Sequence, residues 1–207
     1  MRGFLAELRT QRWDDHRYYH HSRINQFLHL LSALSFIVAY ITAFADPAKS
    51  ALIGWLVSMV SRQSGHFFFE PKGYDAVNQA THERKEQIKV GYNLKRKVIL
   101  HAVWALSPAL LWLDPTFFGM FPPAAGSGEF VRHVGEIWLM VGIGALLFRT
   151  VHLFFLKDVQ TGLVWLTKIV TDPFNDVKTY YKAPLYLMRG ELIDPMAEAA
   201  GRSTHLA

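Results

Sequence analysis

Residues 24–45, INQFLHLLSALSFIVAYITAFA, form an apolar run in which only Asn25 and His29 are strongly polar, both near its start. A helix rises about 1.5 Å per residue, so a run of this length crosses the roughly 30 Å hydrocarbon layer of a bilayer. The composition points the same way. Hydrophobic residues make up 51% of the chain and aromatic residues 14%, above the usual globular balance, and the mean hydropathy is slightly positive at +0.11. The first run therefore reads as a transmembrane helix. The charged and aromatic segment before it lacks the short apolar core and small-residue cleavage site of a secretory signal, so this helix is expected to be retained.

Further apolar runs succeed it. Asp46-Pro47 ends the first helix and residues 50–69, SALIGWLVSMVSRQSGHFFF, return; Arg62, Gln63 and His66 make their second half polar, so that half should face protein or water. Residues 98–113 predict a shorter span with a kink at Pro108. Residues 114–135, with Pro115, Pro122, Pro123 and several glycines, predict a loop, and residues 136–156 a fourth span. Residues 159–170 are too short to cross and predict an interfacial or re-entrant segment. Residues 178–196 mix tyrosine with basic residues as surface-lying segments do. The expected architecture is an all-α polytopic helix bundle with about four transmembrane helices and an interfacial C-terminal segment. It forms one integral membrane domain over 1–195 with a flexible tail over 196–207. The tryptophans, the tyrosines and Phe67-Phe68-Phe69 are expected to form aromatic belts.

The formal charge of +5 does not mark a nucleic-acid binder, because the basic residues flank the apolar spans instead of forming a basic domain. They fix an orientation. Arginines 2, 9, 12, 17 and 23 precede the first span, a basic group from Lys72 to Lys97 fills the middle loop, and Lys157, Lys168, Lys178, Lys182 and Arg189 follow the last span. The other loops offer only Lys49 and Arg132. The positive-inside rule then predicts a multi-pass protein with both termini and the middle loop cytoplasmic.

The chain has no cysteine, so any bound metal must take histidine, carboxylate or amide ligands. On the predicted topology the histidines gather on the cytoplasmic side: His16, His20 and His21 before the first span, His29 just inside it, His66 closing the second, and His82 in the middle loop. His101 and His152, at span ends on the same side, are possible additional ligands; His133 falls opposite. His66 and Glu70 lie four residues apart and share a helical face, which makes them the best candidate ligand pair. His21, Asn25 and His29 repeat that spacing, but eight helical residues span about 12 Å, too far for two imidazoles on one straight helix to reach one metal. Either the helix starts after His21, or two metals bind, or one histidine supports another. No phosphate-cradling glycine loop, G-x-S-x-G elbow or HExxH pair is present.

Tyr19-His20-His21-Ser22-Arg23-Ile24-Asn25-Gln26-Phe27-Leu28-His29 resembles the Y-H-H-x-x-x-N-x-x-x-H opening of the membrane-bound 2-hydroxy fatty acid dioxygenases, and Gly65-His66-Phe67-Phe68-Phe69-Glu70 resembles their G-H-x-x-x-E motif. The resemblance covers about the first third of the chain. It implies an iron(II)-dependent enzyme that shortens a long-chain 2-hydroxy fatty acid by one carbon with molecular oxygen. It further implies His20, His21, His29, His66 and Glu70 as metal-site residues, His66 and Glu70 as catalytic and Asn25 as orienting a ligand. The acyl chain would lie between helices among membrane lipids, with Arg62, Lys72, Arg84 or Lys85 holding its carboxylate. The alternative is a non-enzymatic membrane subunit or assembly factor binding haem or a partner through the same polar cluster. A transporter would need polar residues through the full bilayer depth, and here they concentrate on one side.

Overall fold

The computed structural model describes residues 3–70, 72–76 and 78–196. Among these residues the chain is helical and forms no strand, only isolated bridges between Ser22 and Ile193 and between Asp75 and Ala80.

Helix α1 (Phe4–Tyr19) stops at His20, whose φ of −117° and ψ of 39° leave the helical region. Helix α2 (Arg23–Ala43) starts behind Ser22, whose side chain accepts a hydrogen bond from the Asn25 backbone N–H. A cap of this kind stabilises a helix start by about 0.5–2 kcal/mol. His20 and His21 therefore sit in a break between two helices, the first of the alternatives left open by the sequence. Within α2 the buried positions apart from Leu30 are polar or small: Asn25, Gln26, His29, Ser32, Ala33 and Ala39. Leu31, Leu34, Val38 and Ile41 face outward. Large apolar residues outside and small or polar ones inside is the pattern of a helix surrounded by lipid.

Asp46 caps the next helix by accepting from the Lys49 N–H, with Pro47 in its first turn. The helix then runs without a break through α3 (Pro47–Ile53), a π-helical turn (Gly54–Met59), α4 (Val60–Ser64) and a second π-helical turn (Gly65–Phe69). A π turn holds one residue more than an α turn and so rotates the side chains beyond it around the axis. At Gly65 a Cβ would collide with Asn25 Oδ1, so only glycine lets this rod lie against α2.

Helix α5 (His82–Ile88), capped by Thr81, and α6 (Leu94–Leu113), capped by Asn93, come next; Pro108 lies inside α6, which continues to Leu113. Helix α7 spans Ser127–Leu156, thirty residues. The predicted loop therefore ends at Gly126 and not at 135, because Phe130, Val134 and Ile137 already pack on the core with Leu111 and Ala51. Helix α8 (Val159–Tyr180) corrects the expectation of a short interfacial segment followed by a surface-lying stretch: it is one helix with Lys168, Asp172, Asp176 and Tyr180 buried. The short α9 (Ala183–Met188) closes the described fold, and Ala183 and Tyr180 pack with Leu30 of α2. Of the expected tail, Met196 is buried and the rest lies outside the described residues.

Two of the four expected spans, α2 and α7, are long and apolar enough to cross a membrane. The 47–69 rod carries Arg62, Gln63 and His66 in its second half, and α6 opens on Lys95-Arg96-Lys97, which shortens its apolar part. The tryptophans depart from a belt. Trp55 and Trp104 stack with ring centroids 5.3 Å apart, Trp138 lies 5.2 Å from Trp104, and the Trp55 indole N–H donates to the Trp138 carbonyl. They form the core between the 47–69 rod, α6 and α7, whereas Trp112 and Phe68 remain exposed.

A Cβ on Gly135 of α7 would meet the Ala48 carbonyl oxygen at 2.5 Å, backbone against backbone, while one on Gly144 meets nothing within 4 Å. Gly135→Ala is expected to lower the melting temperature in detergent by several degrees, since overpacking costs about 1–3 kcal/mol. Gly144→Ala should leave it unchanged or slightly raised. Thermal unfolding of the pair checks both, and equal shifts would refute the close α3–α7 approach.

Candidate metal centre

Three imidazoles from three elements meet beneath α8. His20 comes from the α1–α2 break, His29 from the second turn of α2, and His66 from the π turn that Gly65 lets approach α2. Their ring centroids lie 4.0 Å (His20–His29), 4.9 Å (His29–His66) and 5.3 Å (His20–His66) apart. One nitrogen from each falls within 4.8 Å of the others, and all three residues are buried.

Each ring is backed on Nδ1 by another group. Tyr180 Oη lies 2.8 Å from His20 Nδ1, and 3.1 Å from His16 Nδ1 on its other side. Glu70 Oε2 accepts from His66 Nδ1 at 2.7 Å. Asp176 Oδ2 faces His29 Nδ1 at 3.5 Å. At that distance His29 Nδ1 closes no hydrogen bond, and the Nε2 atoms of His20 and His29 are likewise buried with no hydrogen-bond partner. An unsatisfied buried polar atom costs about 1–3 kcal/mol. Converging orphan acceptors with their far nitrogens held by carboxylate or phenol are the arrangement metal-binding histidines adopt.

The electrostatics keep the donors available. Burial, with His29 alongside, holds the His20 ring well below the ordinary imidazole range, so it is neutral and offers a lone pair. Burial would raise Asp176, but Arg62, at 2.9 Å, outweighs it and holds the carboxylate at about 2. Arg62 also lies 3.7 Å from Asp172, which takes a 3.1 Å ion pair from Lys168, and Lys168 pairs with Asp15 of α1. On the other flank burial raises the Glu70 carboxyl, opposed by Lys89 at 3.7 Å. These residues fit a metal ion: three buried imidazole donors within 4.8 Å of one another, a set that suits first-row divalent ions.

Of the residues singled out in the sequence, His20, His29 and His66 come together and Glu70 stands behind His66. His21 stands apart, its ring nitrogen against the Arg17 carbonyl and 3.5 Å from Asp75. Asn25 donates to the Tyr19 carbonyl at 2.8 Å and presses its Oδ1 toward Gly65, which fixes the chain on both sides of His20 without touching an imidazole nitrogen. His82 lines a narrow cleft that it shares with His66 and Glu70. His101 uses Nδ1 on the Lys97 carbonyl and sits among Trp55, Phe67 and Trp104; His152 bonds Arg149 at 3.1 Å, outside the cluster. Arg62 is committed to Asp172 and Asp176 rather than open to a ligand, and Lys85 is fully buried 3.9 Å from Asp75. Lys72 lines the cleft, and Arg84 is exposed on α5.

Sequence reasoning missed Asp176 and Tyr180. Their signal is the four-residue repeat Lys168, Asp172, Asp176, Tyr180, one polar stripe along α8. Lys89 and Lys97 of the cleft wall were missed as well. Comparison with models of known families, with characterised proteins and with solved structures finds no match to this chain.

Alanine at His20, His29 or His66 is expected to reduce bound metal to background, whereas His21→Ala should retain it. Glu70→Gln and Tyr180→Phe should keep the metal but weaken it by roughly 10–100-fold. Metal content by mass spectrometry and competition with a chelator measure these, and retention of full metal by His66→Ala would sink the three-histidine assignment.

Proposed function

We propose that the chain is a multi-pass membrane oxygenase in which His20, His29 and His66 hold iron(II), and that it converts a long-chain 2-hydroxy acid and molecular oxygen to the acid one carbon shorter, carbon dioxide and water. The observation that carries this reading is the buried triad with orphaned Nε2 atoms and a backing group behind each ring. Its residues fall on the two motifs that resemble the membrane 2-hydroxy fatty acid dioxygenases.

A lipid setting is supported by outward apolar residues on three helices: Leu31, Val38 and Ile41 of α2; Val98, Val103 and Leu106 of α6; Ile143, Leu147 and Val151 of α7. The four-span topology, with both termini and the histidine cluster on the cytoplasmic side, remains the reading that the basic residues favour. Bound iron(II) would supply oxygen activation and a Lewis acid for the substrate hydroxyl. Around it the protein's own groups do the positioning. Glu70 holds the His66 ring by its carboxylate and Tyr180 the His20 ring by its hydroxyl, while the Asp176 carboxylate faces His29 at 3.5 Å, so the rings are arranged before substrate arrives. An acid would approach from the His66 side, where the narrow cleft lined by Glu70, Lys89 and Lys97 meets the ring. A haem-binding subunit is disfavoured because rings 4.0–5.3 Å apart leave no space for a macrocycle between them.

Iron-reconstituted protein in detergent is expected to consume oxygen with 2-hydroxyhexadecanoate and to release pentadecanoate, and His66→Ala should abolish both. Glu70→Ala should reduce turnover by at least about tenfold. An oxygen electrode and product chromatography decide the matter; wild-type protein that binds iron yet consumes no oxygen would leave the partner-binding reading in front.

A further inference from the structure

Cations around the site differ in what they face. Arg62 is held by Asp172 and Asp176, and Lys85 lies against Asp75. Lys89 is shared between Glu86 at 3.1 Å and Glu70 at 3.7 Å, with its ammonium 3.8 Å over the Tyr19 ring. Lys97, half-buried in the same cleft wall as His66 and Glu70, is different: among the described residues its ammonium makes no hydrogen bond and no ion pair. A half-buried ammonium that feels Glu70 and Glu86 across the cleft but closes an ion pair with neither, beside a metal-binding ring, can take an anion.

The surroundings narrow the anion. Two carboxylates, Glu70 and Glu86, share the wall, so a dianion such as a phosphate monoester meets repulsion that a single carboxylate largely escapes. Leu94 lines the cleft, Val98 and Ile99 follow Lys97 with more than half of their surfaces exposed, and Phe68, two residues from His66, is 76% exposed. The cleft therefore opens where polar wall gives way to apolar helix surface, which suits a charged head on a hydrocarbon chain.

We propose that Lys97 receives the carboxylate of an amphiphilic monocarboxylic acid at the mouth of the metal centre and thereby sets the preference for acids over neutral lipids of the same chain. This inference rests on the site acting on lipid; it sets aside Arg62 and Lys85, which face aspartates, and Arg84 and Lys72, which are exposed, in favour of the half-buried Lys97 beside His66. Leu94 and the exposed face of α6 carry the first part of the chain.

The test is equilibrium binding, under nitrogen, of 2-hydroxyhexadecanoate and of hexadecane-1,2-diol to iron-loaded full-length protein in detergent, read by tryptophan fluorescence, alongside iron content. Wild type should prefer the acid by roughly 10–100-fold, the range of a charge-assisted hydrogen bond. Lys97→Met should cut that preference to about twofold or less through the acid alone, with diol affinity and iron content unchanged, and Lys97→Arg should keep most of it. A preference that survives Lys97→Met but vanishes in Lys89→Gln would overturn the assignment while leaving the lipid-oxidising reading intact. Wild-type protein that binds neither ligand and consumes no oxygen would overturn both.

Discussion

The close packing of the 47–69 rod on α2 is the constraint on which the rest depends. Where Gly65 passes Asn25, the buried Asn25 side chain leaves no volume for even a methyl group. That approach brings a ring from one helix against a ring from another; held a side chain's width further off, His66 would miss His29. The π turn at residues 65–69 acts in the same place, since an α-helical turn would present a different side chain to α2. Asn25, fixed by the Tyr19 carbonyl, ties the end of α1 to the same spot, so one crowded contact aligns all three donors.

Around this contact the protein buries an unusual amount of charge. From Asp15 on α1 the ion pairs run through Lys168, Asp172 and Arg62 to Asp176, alternating in sign and ending at His29. Buried pairs seldom stabilise a fold relative to apolar packing, and removing one member strands the next. Their value here lies in orientation: α8 must lie in one register along α1 and α2 for every pair to close, and that register sets Asp176 and Tyr180 behind their histidines. Specificity of packing is exchanged for what apolar contacts alone would contribute.

Much of this was legible in the sequence where a short-range rule applied. The apolar run of α2, the paired spacing of His66 and Glu70 and the concentration of histidines on one side all follow from periodicity and composition. The ligand group itself was legible only as alternatives, because a break of three residues between α1 and α2 decides whether His20 or His21 turns inward, and a Ser22 cap is a small energetic signal. The long-range partners stayed hidden. Asp176 and Tyr180 lie more than 140 residues from His29 and His20 along the chain, and the glycine and Pro173 of α8 disguised a long helix as a short segment with a loose end. The tryptophans misled in the opposite sense: their usual place at a membrane surface is a statistical preference, and three of them instead fill the space between helices.

The division of labour along the chain has a consequence for how the protein matures. The three donors are made before the groups that stand behind two of them, Asp176 and Tyr180, which arrive only with α8. Until then the nascent chain carries histidines that are neither oriented nor shielded, free to capture whatever ion is abundant or to leave it again. The histidine arrangement is thus completed only when α8 packs onto α1 and α2, and this long helix serves as the latch that turns a loose set of rings into a fixed one.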